Sequence, residues 1–290
     1  MPHRLGDLRR AAIARLNAAG SPTPALDVDV LLTRSLGRDR AFVLAHPEYD
    51  LTADEFMTFE RTLLRAAAGE PIAYITGERG FYDLVLRVTP DVLIPRPETE
   101  LLLELALNWA LTRLSAAPGQ RLTAVDVGTG SGALAIALAR HLPPDRVRVS
   151  GLDSSPAALA VARANGAALL GRADAVAWLE SDLLAAWPST PIDLLVANLP
   201  YIPSAVVPTL AVSQFEPVAA LDGGPDGLDL IRRLLDQAQT RMAPGGLIAL
   251  EIGADQGASG SDAARQRFPA ARIDVHADYA GLDRVITVQL

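Results

Sequence analysis

From residue 122 onward the chain alternates short apolar runs with amphipathic stretches. The runs at 122–127, 146–152, 175–180, 192–197 and 247–252 are built mainly from Val, Ile, Leu and Ala, the pattern of strands covered on both faces. Between them, 131–140, 156–170, 227–242 and 258–268 carry helical patterning, and Pro156 stands at a favoured first-turn position. The alternation predicts a doubly wound, Rossmann-like α/β sheet with parallel strands. Two final runs, 272–276 and 284–290, leave no room for a crossover helix and predict an antiparallel C-terminal strand pair.

The first 70 residues have a different texture. Leu5, Leu8, Ala12 and Leu16 form one stripe that stops at Gly20, and a second helix is predicted over 24–36, closed by Gly37. Thr52-Ala53-Asp54-Glu55 is a capping-box pattern. It opens a helix carrying Phe56, Phe59, Leu63 and Leu64 that ends at Gly69. A small all-α domain is therefore expected over residues 1–75. Residues 81–94 are rich in β-formers around the turn signal Thr89-Pro90-Asp91, which predicts a β-hairpin linker within 76–97. Pro95-Arg96-Pro97 then introduces a long helix from 98 to about 114, the start of a third segment covering 98–290.

Composition narrows the possibilities. At 290 residues, half of them hydrophobic, the chain can bury one full α/β domain and a smaller one. With no Cys there is no disulfide, thiolate metal site or cysteine nucleophile, and no metal-ligand set is read elsewhere. The net charge is −8 and Lys and Arg form no run, so no direct nucleic-acid partner is expected. The opening residues meet Arg4 and Asp7 too early for a secretory segment, and no apolar run reaches membrane-spanning length. A soluble cytoplasmic protein with no membrane partner is expected.

The candidate chemistry lies at the ends of the predicted strands. Asp126-Val127-Gly128-Thr129-Gly130-Ser131-Gly132 follows the first strand and opens a helix. Glycines there let a ligand approach the backbone, and the helix start offers unbonded N–H groups. Alone, this turn also satisfies a loose dinucleotide pattern, while the absence of a following Lys disfavours a triphosphate site. Asp153, ending the second strand, can accept from two ribose hydroxyls or else cap the next helix, a task Ser154 or Ser155 could also perform. Asp182 and Leu183 follow the third strand, placed to bond an adenine amino group and pack on its ring, or to form an ordinary solvated loop.

Asn198-Leu199-Pro200-Tyr201 follows the fourth strand, at the crevice that receives ligands in open α/β sheets. Asn198 Oδ1 and the Leu199 carbonyl can each accept one N–H from a planar NH₂ group, and an aromatic face at Tyr201 can cover it. An Asx-type turn with a core Tyr would explain each residue separately, though not their joint placement.

This motif resembles the N-P-P-Y motif of methyltransferases acting on amide or exocyclic amino nitrogens, with Leu199 in place of the first proline. The backbone carbonyl survives that change, and Pro200 still biases residue 199 toward extended geometry. Glu70-Pro71-Ile72-Ala73-Tyr74-Ile75-Thr76-Gly77, Phe81-Tyr82, Pro95-Arg96-Pro97-Glu98-Thr99-Glu100, Phe215-Glu216-Pro217 and Asp278-Tyr279-Ala280-Gly281 are similar to segments of the HemK/PrmC family. The resemblance covers nearly the whole chain. It implies methyl transfer from S-adenosylmethionine, with S-adenosylhomocysteine as product, to the glutamine amide of the Gly-Gly-Gln motif in class 1 peptide chain release factors. It also implies a catalytic and substrate-binding role for residues 198–201 and a cofactor role for Gly128, Thr129, Gly130, Ser131, Gly132, Asp153, Asp182, Leu183 and Asn198. Arg96 and Glu98 are candidates for the substrate side or for a plain helix-entry turn. Three rivals stand beside this expectation. A nucleic-acid adenine N6-methyltransferase shares the motif logic, but the acidic chain argues against it. A nicotinamide-dependent oxidoreductase would leave residues 198–201 unexplained. A non-catalytic release-factor partner is the third.

Overall fold

The structure, a computed structural model, describes residues 3–172 and 174–290. Met1, Pro2 and Ala173 lie outside the described residues, and with them the first two residues of the expected helical domain and of the segment read for targeting. The chain divides into two compact units, Met1–Glu78 and Arg79–Leu290.

The first unit holds helices α1 (Leu5–Ala18), α2 (Pro24–Leu36), α3 (Arg40–Ala45), α4 (Ala53–Ala67) and α5 (Ile72–Thr76), with a minimal antiparallel pair of β1 (His3–Arg4) and β2 (Asp50–Leu51). Leu5, Leu16, Leu31, Leu32, Phe59 and Leu63 form its core. At the head of α4 both halves of the capping box are present: Glu55 N–H donates to Thr52 Oγ1 at 3.3 Å, and Thr52 N–H donates to Glu55 Oε2 at 2.8 Å. The six-residue α3 escapes a periodicity reading because it is under two turns long. Asp39 starts it by accepting from the Phe42 N–H at 2.8 Å.

The hairpin of β3 (Glu78–Phe81) and β4 (Leu84–Arg87) starts at the last residue of the first unit and otherwise opens the second. Its apolar side, Phe81, Leu84 and Leu86, belongs to the core of this unit. Then follow α6 (Thr99–Ala116), β5 (Leu122–Val127), α7 (Ala133–His141), β6 (Val147–Asp153), α8 (Pro156–Leu170), β7 (Val176–Glu180) and β8 (Ile192–Ala197). After three short 3₁₀ turns come α9 (Asp229–Ala238), β9 (Met242–Glu251), α10 (Gly257–Arg267), β10 (Arg272–Ala277) and β11 (Asp283–Gln289). Ser155 caps α8, accepting from Ala158 N–H at 3.2 Å, and Gly171 at φ 64° ends it.

The sheet has seven strands in the order β10-β11-β9-β8-β5-β6-β7. All neighbours from β9 to β7 run parallel, and β11 is antiparallel to both β9 and β10. This is the doubly wound sheet with an antiparallel C-terminal pair that the hydrophobic pattern predicts. Alternate side chains reach opposite faces. Leu194, Val196 and Ala249 join α6 and α7 in one core, while Leu195, Ala197 and Ile248 join α9 and α10 in the other.

The hairpin turns at Tyr82-Asp83, earlier than the Thr89-Pro90-Asp91 signal around which the sequence predicts it, and residues 88–94 follow β4 outside any strand. One helix boundary also departs from the periodicity. The helix expected over 227–242 starts at Asp229 and stops at Ala238, and Met242 already pairs with Ile192. Gly227 sits at φ 77°, and a Cβ there would lie 2.1 Å from the Tyr201 carbonyl oxygen, so this glycine is a close-packed turn. At the other end Pro244-Gly245-Gly246 cannot prolong a helix.

The order reverses at β5: β6 lies on one side of it and β8 on the other. Val127 pairs with Ala197 in register, so the residues that follow, Gly128 and Asn198, leave the sheet side by side at its carboxyl edge. That crevice is the ligand position of this architecture. Among the described residues no helix is long and apolar enough to cross a membrane.

Candidate active site

A cavity of about 240 Å³ opens at this edge. The Gly-rich turn supplies Gly128, Thr129, Gly130 and Ser131 to its wall, and the strand ends supply Asp153, Asp182, Leu183, Asn198, Leu199 and Pro200. Residues Asp91, Val92, Leu93, Pro95 and Thr99 close one side, and Pro217, Ala219 and Ala220 add an apolar patch. Two expected site residues stand outside this wall. A Cβ on Gly132 would meet Ile136 at 2.9 Å and Trp178 at 3.0 Å, so its role is to let the turn pack on the core. Tyr201 directs its hydroxyl to Glu251 Oε1 at 3.2 Å, which makes it an anchor of the loop.

Asp126 is the group that reading by strand ends passes over. It lies inside β5, fully buried, and its Oδ2 accepts from Thr129 Oγ1 at 2.5 Å and Ala135 N–H at 3.1 Å. Its Oδ1 is buried with no partner. Burial pushes its carboxyl up to about 7; the bonds from Thr129 and Ala135 pull the other way, and neighbouring Asp153 adds to the rise. Asp153 is itself engaged: Oδ2 accepts from Gly130 N–H and Oδ1 from Ser155 N–H, both at 2.9 Å. Each carboxylate oxygen keeps a further lone pair for a ligand hydroxyl. Because Ser155 caps the helix through its side chain, Asp153 is not needed there. Asp182 pairs with Arg233 at 2.5 Å in the open, and Leu183 is buried at a left-handed φ of 53°.

Asn198 is fixed by a neighbour in the wall. Its Nδ2 donates to Thr99 Oγ1 at 2.9 Å, and Thr99 donates to Glu251 Oε2 at 2.6 Å. Among the described residues nothing bonds Asn198 Oδ1 or donates to the Leu199 carbonyl, so two acceptors stand ready at the wall. Leu199 is buried, and its Cδ2 would lie 2.9 Å from a Cβ at position 128, so the apolar side chain fills the space above the glycine turn. Gln256 Nε2 donates to the Tyr201 carbonyl at 2.9 Å and completes the brace of the loop.

Arg96 and Glu98 settle outside the cavity. Arg96 pairs with buried Glu216 at 2.6 Å, and Glu216 also accepts from the Ile94 N–H at 3.3 Å. Together these bonds tie the 94–96 segment to the loop carrying Glu216. Glu98 is exposed at the head of α6.

The wall carries four aspartates, Asp91, Asp126, Asp153 and Asp182, and no Lys or Arg. A dinucleotide pyrophosphate would meet net repulsion there, since among the described residues only Asp182, through Arg233, is paired with a cation. A cationic ligand meets attraction.

The crossover order, the glycine turn and the acid-lined crevice define a methyltransferase. Residues 7–77 match the PrmC N-terminal domain and residues 124–216 a methyltransferase domain. A methyltransferase from Pyrococcus furiosus shares the fold with a TM-score of 0.51 at 15% identity, covering 79% of this chain and 96% of that one. The chain is 46% identical over 274 residues to the release factor glutamine methyltransferase of Moorella thermoacetica, 94% of each. It is 39% identical over 289 residues to that of Cereibacter sphaeroides, 99% of each. The chain belongs to the release factor glutamine methyltransferase family.

Proposed function

We propose that the chain transfers the methyl group of S-adenosylmethionine to the side-chain amide nitrogen of the glutamine in the Gly-Gly-Gln motif of class 1 release factors, as a soluble cytoplasmic enzyme. The residues present fit the cofactor. The unpartnered Asp126 Oδ1 offers a buried anionic acceptor suited to an ammonium group, and the open lone pairs of Asp153 suit ribose hydroxyls. Leu183 with Pro217, Ala219 and Ala220 provides an apolar bed for adenine, and Asp182 an acceptor at its edge. When bound, S-adenosylmethionine supplies an electrophilic methyl group. Gly128, Thr129, Gly130 and Ser131 hold it close to the backbone.

The observation that carries the reading is that Asn198 and Leu199, adjacent residues of the cavity wall, each keep an acceptor, Asn198 Oδ1 and the Leu199 carbonyl, with no partner among the described residues. They take one N–H each from a planar NH₂ group and hold its nitrogen in line for attack. A neutral amide nitrogen is a poor nucleophile, so positioning two bound reactants supplies most of the rate. The two acceptors also favour the positive charge that grows on the nitrogen as it takes the methyl. No strong base is required beforehand: the N-methyl amide loses its extra proton readily to water afterwards. Tyr201, through Glu251, and Pro200 keep the loop in place. The helical segment 1–75 is assigned to recognition of the protein substrate.

The test is incubation with labelled S-adenosylmethionine, a class 1 release factor and DNA oligonucleotides, followed by peptide mass mapping. Label on the Gly-Gly-Gln glutamine is expected. Label on DNA alone would overturn the substrate, and binding without transfer would leave only a release-factor partner.

A further inference from the structure

Asn198 can help an NH₂ group only if its oxygen, and not its nitrogen, faces the cavity. A side-chain amide is nearly symmetric in shape, so packing alone does not decide which end points where. The structure contains a device that does decide it, and it begins at Glu251, the last residue of β9. Glu251 is buried at 1% exposure and touches neither end of the cavity's ligand positions directly. Its two oxygens receive two hydroxyls, Thr99 Oγ1–H at 2.6 Å on Oε2 and Tyr201 O–H at 3.2 Å on Oε1.

An ionised carboxylate only accepts. The single hydrogen of Thr99 is therefore committed to Glu251, and the Thr99 oxygen is left with lone pairs alone. Only a donor can meet those lone pairs, and the donor is Asn198 Nδ2 at 2.9 Å. The amide cannot turn over without facing oxygen against oxygen. Its Oδ1 is thereby delivered to the cavity. We propose that Glu251 is a positioning residue that, through Thr99, sets which end of the Asn198 amide meets the substrate. The inference rests on the reading of Asn198 as an acceptor for the glutamine NH₂.

The same geometry makes the device sensitive to charge. Thr99 and Tyr201 face Glu251 as donors, Arg284 attracts it from the neighbouring strand β11, and Glu98 opposes its ionisation. Arg284 is itself bonded to Asp278 at 3.2 Å, and Arg96, beside Tyr201, is bonded to Glu216 at 2.6 Å. Burial outweighs Arg284 and pushes the Glu251 carboxyl up to about 7. A protonated Glu251 can donate to Thr99, which frees the Thr99 hydrogen to point at Asn198 and lets the amide invert. Turnover should therefore fall as pH drops through this range.

Glu251→Gln tests the proposal in the full-length enzyme. Glutamine keeps the shape, yet it can donate to Thr99 as readily as it accepts. Expected are a kcat lower by about tenfold or more, below the roughly 10²–10³ for removing a polar contact at the reacting centre itself because Glu251 acts through Thr99, an unchanged Kd for S-adenosylmethionine, and loss of the acid limb from the pH–kcat profile. Thr99→Val cuts the relay while leaving Glu251 in place and should give the same kcat defect; Thr99→Ser keeps the hydroxyl and should restore most of the rate. This pair decides the matter if Glu251→Gln does not fold. A Glu251→Gln enzyme, or a Thr99→Val enzyme, with kcat within about twofold of wild type and the wild-type pH profile overturns the relay. A wild type that leaves the release factor unmodified overturns the functional reading instead, so the two failures are distinct.

Discussion

Asp126→Asn should make the empty protein more stable and the working enzyme worse. In the folded chain the Asp126 carboxyl is raised from 3.8 to about 7, chiefly by burial. The unfolded chain ionises above its ordinary value while the folded one holds its proton until near neutrality. The proton-bound native state is thus favoured at low pH, and that stability is lost as pH rises from about 4 through about 7. A shift of about three pH units corresponds to roughly 4 kcal/mol at most, at 1.36 kcal/mol per unit. Asparagine stays neutral throughout. Its Oδ1 can still accept from Thr129 and Ala135, as Asp126 Oδ2 does at 2.5 and 3.1 Å. Its Nδ2 takes the place of an oxygen that has no partner. Urea unfolding of both proteins between pH 4 and 8 should show curves that nearly coincide at pH 4 and differ by about 2–4 kcal/mol at pH 8, the variant being more stable. Calorimetry at pH 8 should show S-adenosylmethionine binding weakened by tenfold or more, the order expected for losing one charge-assisted bond. A stability difference that stays flat with pH would refute the desolvation argument. Unweakened binding would remove Asp126 from the ammonium position.

Asp153→Ala removes the acceptor that Gly130 and Ser155 hold in place, and calorimetry should show affinity for S-adenosylmethionine lower by at least about tenfold. Asn198→Ala should lower kcat by about 10²–10³ with little change in cofactor affinity, measured by single-turnover transfer to a release factor; equal losses in both would mark Asn198 as a cofactor contact only. A chain beginning at Arg79, the first residue of the second unit, should still bind S-adenosylmethionine while methylating an intact release factor poorly. Full activity of that shortened chain on the intact protein would end the recognition role assigned to the N-terminal helices.

The parts of the fold set by periodicity and by local punctuation could be read from the sequence directly. The strand at 192–197 and the helix at 156–170, with Pro156 at its start and Gly171 after it, stand where the pattern put them. Reading failed where a glycine answers to tertiary contacts. Gly227 looked like a helix start, yet its conformation is dictated by the Tyr201 carbonyl packed against it. The site was legible as a set of strand ends. The buried network around it was not, because Thr99, Glu251 and Tyr201 are separated by up to 152 positions and meet only where α6 packs on the neighbouring strands β8 and β9. A signal was available for Glu251: a lone acid ending an apolar strand beside the strand of Asn198. Asp126 gave no such sign, since an acid within a strand that opens a glycine turn looks like part of the turn.

The arrangement of charge follows the reaction. Transfer begins with a full positive charge on sulfur and spreads it toward the amide nitrogen. A carboxylate set against the sulfonium would stabilise the bound cofactor more than the transition state, and would slow the step. Asp126 and Asp153 flank the Gly-rich turn, and the group proposed to meet the amide is a neutral Asn. The acid on that side, Glu251, is held one hydroxyl further back. In the proposed relay its charge acts through the direction of two hydrogen bonds and not through proximity. Aspartate at 198 would undo this at both ends: two carboxylates would compete for the single Thr99 hydrogen, and the loser would be buried without a donor. Asparagine meets Thr99 with a donor and, in the role proposed for it, the substrate with an acceptor, a combination that a carboxylate at 198 cannot supply.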